Sequence, residues 1–260
     1  MEKTTVVSRD GTRIAYERSG RGPAVVLVSG AMSTGATTAP LAAELAGRLD
    51  VTVYDRRGRG ASGDTAPYAV ERETEDLAAL IEAVGGEASL YGMSSGGALA
   101  LRAAASGLPV RRVAVYEVPY AMNDDAARAA AEYTERLTET LGQGRPGDAV
   151  ELFLRHTGLG EEMIRGARQS PMWAGMESVA PSLAYDDAAM GDSRVPRDAI
   201  ASIAAPVLAL AGGASDAWWH DAARAVAEAA ADGTYGTVEG QTHMVEPGML
   251  APVLTEFFGR

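Results

Sequence analysis

Leu90-Tyr91-Gly92-Met93-Ser94-Ser95-Gly96-Gly97-Ala98 is the stretch on which the reading of this chain turns. A short strand ends near residue 91 and a helix of small residues runs over 95–106, so Ser94 falls at a strand-to-helix junction inside a G-x-S-x-G pattern. A serine held on so tight a turn needs tiny residues two before and two after it, because side chains there would collide with neighbouring backbone. Gly92 and Gly96 meet that need. The helix that follows aims its first N–H groups and its positive dipole end at the same point, where they would stabilise negative charge developing beside Ser94. Ser94 is therefore a candidate nucleophile; the plainer alternative is a Gly/Ser turn in which Ser94 or Ser95 caps the helix.

Outward from this junction, strands alternate with helices. Pro23-Ala-Val-Val-Leu-Val-Ser29 and Val51-Thr-Val-Tyr-Asp55 are short apolar runs of the kind covered on both faces in a parallel sheet. A helix over 38–48 links them. A helix over 70–84, the strand at 88–91, the helix after Ser94 and a strand over 110–116 continue the series, and a hairpin over 4–8 and 12–18 turns at Asp10-Gly11 ahead of it. After Pro206 come a strand at 207–211, a helix at 216–231, a strand at 234–238 and a closing helix at 247–258. The expectation is an α/β fold with a doubly wound, mostly parallel eight-stranded sheet. Between 121 and 199 the alternation stops in favour of charged, Met-containing helical stretches, broken at Arg145-Pro-Gly147. Residues 1–120 and 200–260 are thus expected to form the core, and 121–199 an inserted helical subdomain.

The 260 residues are 47% hydrophobic and 22% charged, enough to bury a large core in one or two domains. A net charge of −12 repels phosphate backbones and anionic headgroups, so neither nucleic acid nor a membrane is an expected partner. Cysteine is absent, which excludes disulfides, thiolate chemistry and Cys-ligated metal or iron–sulfur sites. The first residues contain no apolar stretch of signal-peptide length, and no run reaches membrane-spanning length, so a cytoplasmic location is expected. Lys3 is the sole lysine among many arginines and alanines, a bias resembling that of high-GC bacterial genomes. The sequence leaves open whether the chain forms a homo-oligomer.

Several segments together resemble the α/β-hydrolase superfamily over essentially the whole chain. Besides the Ser94 turn, Asp55-Arg56-Arg57-Gly58-Arg59-Gly60-Ala61-Ser62 is similar to that family's D-x-R-G-x-G-x-S loop, and Glu239-Gly240-Gln241-Thr242-His243-Met244-Val245 to its late histidine loop. The insert occupies the place of the family's cap. The resemblance implies hydrolysis or transfer of an acyl group through a serine ester, with no cofactor. The substrate would be a small acyl compound such as a carboxylic ester, thioester or lactone. An acyltransferase, a C–C bond hydrolase or a perhydrolase would keep the same Ser-His pair, and a non-catalytic small-molecule-binding protein can keep the fold.

Of three histidines, His156 lies in the insert, His220 lies within the helix beginning DAWWHDAARA, and His243 follows the last strand in a short loop. His243 is placed to act as base at the C-terminal sheet edge. Two acids compete to orient it. Relatives often have an Asp after the penultimate strand, but Gly212-Gly213-Ala214-Ser215-Asp216 puts Ser215 at that position and Asp216 one residue later, where it could simply cap a helix. Glu117 ends an otherwise apolar strand, where a charge needs a partner, and some relatives take their acid from that strand end. For the oxyanion hole the donors would be the Ser95 N–H and, by resemblance, the Ala31 N–H in Ser29-Gly30-Ala31-Met32, where the family often has His-Gly.

Gly58-Arg59-Gly60-Ala61-Ser62-Gly63 matches G-x-G-x-x-G, but Asp64-Thr65-Ala66-Pro67 intervenes before any helix, which argues against nucleotide binding. Arg56, Arg57 and Arg59 are expected to be solvated or salt-bridged. Met32, Met93 and Trp173 are candidates for lining an apolar substrate pocket, with plain core as the alternative for each. Trp218 and Trp219 are expected to pack their helix against the sheet.

Overall fold

The computed structural model describes residues 4–260, so the first three residues of the expected core segment lie outside the described residues. Strands β1 (Thr4–Val7), β2 (Arg13–Gly20), β3 (Ala24–Val28), β4 (Asp50–Tyr54), β5 (Ala88–Met93), β6 (Val110–Tyr116), β7 (Val207–Gly212) and β8 (Gly233–Val238) form one sheet in the order β1-β2-β4-β3-β5-β6-β7-β8. β2 runs antiparallel to both its neighbours, while β4 through β8 pair in parallel. β3, β5 and β7 are almost continuously buried because helices cover both faces of the sheet, which is why their sequences are apolar without alternation.

Helices α1 (Gly35–Leu45) and α11 (Pro247–Phe258) cover one face, closing Leu41, Leu45, Leu250, Leu254 and Phe258 over Val25, Leu27 and Leu210. Helices α2 (Val70–Val84), α3 (Ser95–Ala105) and α10 (Ala217–Ala229) cover the other, with Leu77, Leu80, Leu99 and Val226 against Val26, Val28 and Val115. The link between β3 and β4 starts its helix three residues earlier than the expected 38–48, because the Asp55 carboxylate accepts the Gly35 N–H at 2.8 Å and fixes the helix start.

Between β6 and β7 lie α4 (Asp124–Gly142), α5 (Pro146–His156), α6 (Glu161–Arg168), α7 (Trp173–Val179), α8 (Leu183–Met190) and α9 (Arg197–Ala201). Leu137, Val150, Leu154, Ile164, Trp173 and Leu183 bury one another there in a cluster separate from the two sheet-face cores. No helix of the described residues is long and apolar enough to cross a membrane.

Candidate active site

The tight turn after β5 forms because two glycines let three backbones meet. A Cβ on Gly92 would strike the Gly96 carbonyl, and one on Gly96 would strike the carbonyls of Val28 and Ser29 at the end of β3. Ser94 adopts φ 55° and ψ −131°, while its N–H donates to the Tyr116 carbonyl of β6 at 3.0 Å. Among the described residues, four non-glycine residues have positive φ: Met32, Ser94, Glu117 and Ser193. The first three follow the ends of β3, β5 and β6, which are neighbours in the sheet, so unfavourable backbone is concentrated at one edge. Each such residue costs on the order of 1–3 kcal/mol and persists only where the surroundings over-determine it. Ser94 is half-buried, and among the described residues its hydroxyl enters no hydrogen bond.

Glu117 emerges one residue past β6 with its carboxylate buried. Oε2 lies 2.9 Å from Nδ1 of His243, and Oε1 accepts the Gly212 N–H at 2.8 Å and the Ser215 hydroxyl at 2.5 Å. Burial pushes the carboxyl upward, but the hydrogen bonds from His243, Ser215 and Gly212 outweigh it and hold Glu117 below the ordinary range, hence ionised. An ionised carboxylate only accepts, so Nδ1 of His243 carries a hydrogen and Nε2 is the nitrogen left to face the serine side. The loop is tied down from below, where the Tyr116 hydroxyl donates to the Thr242 carbonyl at 2.6 Å.

Of the two acids that the sequence leaves open, Glu117 is the one hydrogen-bonded to His243. Asp216 is exposed at the N-cap position of α10, the plainer of its two expected places, where its carbonyl accepts the Trp219 N–H at 3.0 Å and its side chain makes no capping hydrogen bond. Ser215, which stands where relatives often have the acid, serves instead to anchor Glu117.

Trp219 corrects a second expectation. Its ring does not pack α10 onto the sheet but stacks on His243, with centroids 4.6 Å apart and planes 16° from parallel. Trp218 stacks on Trp219 in turn at 3.8 Å and is exposed. Composition carries no sign of this; the only hint is that both follow the loop after β7, at the sheet edge that also bears His243. His220 and His156 are occupied elsewhere, His220 between the Tyr235 hydroxyl and the Ser215 carbonyl and His156 stacked on Tyr133.

The segment after β3 lies directly against Ser94: a Cβ on Gly30 would sit 3.1 Å from the Ser94 Cβ and 3.7 Å from its Oγ. Ala31 and Met32 pack against the helical segment's apolar cluster. Met93 lines a recess of about 90 Å³ with Ser29, Gly30, Tyr91, Val245 and Leu250. Trp173 does not line it; it is buried inside the helical cluster with the Arg168 guanidinium 5.9 Å from its ring, and is core. A larger cavity of about 570 Å³, among Leu101, Arg102, Tyr120, Met190 and Ile200, contains none of these site residues.

The arginines of the 55–62 loop are not solvated. Arg56, Arg57 and Arg59 are all buried, and each is matched by carboxylates: Arg56 by Glu73 and Asp186, Arg57 by Asp76 and Asp10, Arg59 by Asp186. The glycine pattern is a structural turn around Asp55, whose carboxylate accepts the N–H groups of Gly35 and Ala61, while the Ser62 hydroxyl donates to the Asp55 carbonyl. Gly60, at φ 55°, lies so close to Asp55 that any Cβ would overlap its carboxylate. Among the described residues, no group of three or more His, Asp or Glu side chains could hold a metal ion.

A model of the alpha/beta hydrolase family matches residues 25–253. The crystal structure of an alpha/beta hydrolase from Sphaerobacter thermophilus superposes with a TM-score of 0.89 at 52% identity, covering 98% of this chain and all of that one. N-formylmaleamate deformylase of Pseudomonas putida is 36% identical over 155 residues, 56% of this chain and 57% of that protein. The polyketide synthase ThaQ of Burkholderia thailandensis is 40% identical over 96 residues, 36% of this chain but only 5% of that far longer one. The chain thus spans a little over half of the deformylase's length and a small fraction of the polyketide synthase's.

Proposed function

This chain belongs to the alpha/beta hydrolase family, and on that basis we propose that it is a serine hydrolase cleaving a small carboxylic ester, thioester or lactone. Ser94 Oγ attacks the acyl carbon while Nε2 of His243 takes its proton. Glu117 holds the imidazole in the required tautomer and stabilises the imidazolium, and the face of Trp219 adds cation–π stabilisation to the same charge. The N–H groups of Ser95 and Ala31 receive the oxyanion. His243 then protonates the leaving oxygen or sulfur, and a water deprotonated by His243 releases the acid. Catalytic Ser–His hydrogen bonds commonly tighten only when substrate is bound, in keeping with the unbonded Ser94 hydroxyl.

The observation that carries this reading is the fully occupied Glu117 carboxylate: one oxygen is anchored by Gly212 and Ser215, and the other faces His243. A buried carboxylate with this arrangement, one strand away from a serine on a strained turn, has little purpose except to orient the imidazole. The bond from Ser215 to Glu117 also gives a role to the serine that stands where relatives often have the acid. Residues 121–199 are read as the cap that shapes the pocket. The deformylase relative adds N-formyl amides to the compounds worth testing.

The test is intact mass after treatment with a fluorophosphonate, on wild type, Ser94→Ala and His243→Ala. A single adduct on the wild type alone is expected, followed by turnover of small acyl esters. An unlabelled wild type that binds small acyl compounds without turnover, with binding kept in Ser94→Ala, would overturn the reading in favour of a binding protein.

A further inference from the structure

The Gly30 carbonyl and the Ala31 N–H belong to one planar trans peptide and therefore point in opposite directions, so whatever grips the carbonyl also aims the N–H. Arg59 grips it. Nη1 donates to the Gly30 carbonyl at 2.7 Å and to the Ser33 carbonyl at 3.2 Å, while Nη2 donates to Oδ2 of Asp186 at 2.7 Å. The other oxygen of Asp186 accepts from Nη1 of Arg56 at 2.6 Å and from the Ser95 hydroxyl at 2.8 Å, and the same Arg56 nitrogen reaches the Ser29 carbonyl at 3.2 Å. One carboxylate on α8 is therefore bonded to Ser95 on one side of the oxyanion site and, through two guanidinium groups, to the backbone of Ser29 and Gly30 on the other.

We propose that Arg59 and Asp186 are positioning residues that set the direction of the Ala31 N–H and its separation from the Ser95 N–H, so that the oxyanion hole is assembled only when α8 is docked. The inference rests on the serine hydrolase reading. The groups are suited to the task. Arg56 and Arg59 are buried and face the carboxylates of Glu73 and Asp186, so two positive and two negative charges balance within the cluster. Planar guanidinium groups with fixed donor directions hold a geometry that a lysine ammonium, a point charge on a flexible stem, cannot reproduce. Burial acts to raise the Asp186 carboxyl, yet the charges of Arg59 and Arg56 and the hydrogen bonds from Arg59 and Ser95 keep it below the ordinary range, so it stays an acceptor. Asp186 belongs to the helical segment, 127 residues from Arg59 in sequence, so substrate contacts in that segment bear on oxyanion geometry through α8.

The experiment compares Arg59→Lys with Arg57→Lys. Arg57 is a buried arginine of the same loop, but its guanidinium bonds go to Asp76, Asp10 and the Arg72 carbonyl, away from residues 29–33. One portion of each protein is titrated with fluorophosphonate to count active serines, and an untreated portion is assayed for kcat, KM and inhibition by a trifluoromethyl ketone, whose serine adduct carries an oxyanion. Arg59→Lys should lower kcat per labelled serine about 10- to 100-fold, a partial loss of one oxyanion donor, and weaken the ketone by a similar factor with KM little changed. Arg57→Lys should lower the melting temperature without moving either quantity. If Arg59→Lys fails to fold, Ser95→Ala, which keeps its N–H and loses only the bond to Asp186, should show the same pattern at about three- to tenfold. A wild type that takes no label sinks the serine reading and this inference together. A labelled wild type with variants that lose stability but keep kcat and ketone affinity overturns the inference alone.

Discussion

Replacing Glu117 by Gln exchanges one oxygen for an NH2 group and leaves the shape intact, and the surroundings dictate which way the amide must turn. Oε1 accepts two hydrogens, from the Gly212 N–H at 2.8 Å and the Ser215 hydroxyl at 2.5 Å. The amide oxygen must stay there, because an NH2 in that position would face the Gly212 N–H donor to donor. The NH2 is then forced toward Nδ1 of His243, 2.9 Å away in the native protein, and can be satisfied only if Nδ1 becomes an acceptor. The ring hydrogen moves to Nε2, and the base loses the lone pair with which it would take the proton from Ser94. A tautomer reversal of this kind costs about 10⁴ in kcat in serine proteases, or about 5 kcal/mol of barrier. The assay is hydrolysis of a short-chain aryl ester by Glu117→Gln and Asp216→Asn under identical conditions, with circular dichroism melting as the check on folding. Glu117→Gln should fall by about three to four orders of magnitude while remaining folded, and Asp216→Asn by less than about twofold. A loss below about tenfold for folded Glu117→Gln, or a larger loss for Asp216→Asn, would refute the assignment of the acid.

Trp219→Leu should lower kcat by about two- to thirtyfold, the equivalent of roughly 0.5–2 kcal/mol of cation–π stabilisation, and Trp219→Phe should recover part of it; equal rates in all three proteins would remove Trp219 from the mechanism. Gly96→Ala drives a methyl group into the Val28 and Ser29 carbonyls, so it should fail to accumulate as folded protein or should melt far below wild type, and a normal melting curve would contradict the packing of the turn. Acid sensitivity has a definite sign at Glu117. Its native pKa is lower than the unfolded value of about 4.3, so its stabilisation is present above that pH and is lost as pH falls through the lower native value. The difference in urea midpoint between wild type and Glu117→Gln should therefore shrink between pH 6 and pH 3; a difference that is flat or grows on acidification would count against the hydrogen-bonded, ionised carboxylate.

The sequence by itself determined the sheet and the turn that bears Ser94, because both depend on local properties. Unalternated apolar runs make strands covered on both faces, as β3 and β7 show, and Gly92 and Gly96 are required by backbone approach around a single bend. Tertiary structure alone decided which groups surround that turn. Glu117 and His243 are 126 residues apart, and the choice of Glu117 over Asp216 depended on side-chain direction at the ends of β6 and β7, which residue type does not encode. The same holds for Ser215, whose role as an anchor exists only because Glu117 comes within reach, and for Trp219, whose ring turns toward the histidine rather than the sheet. The sequence left Arg56, Arg57 and Arg59 either solvated or salt-bridged, since no local pattern announces that Glu73, Asp76 and distant Asp186 will enclose them. Periodicity and glycine placement are written in neighbouring residues; hydrogen-bond partners and buried charge pairs are not, because they arise from where separate elements come to rest against one another.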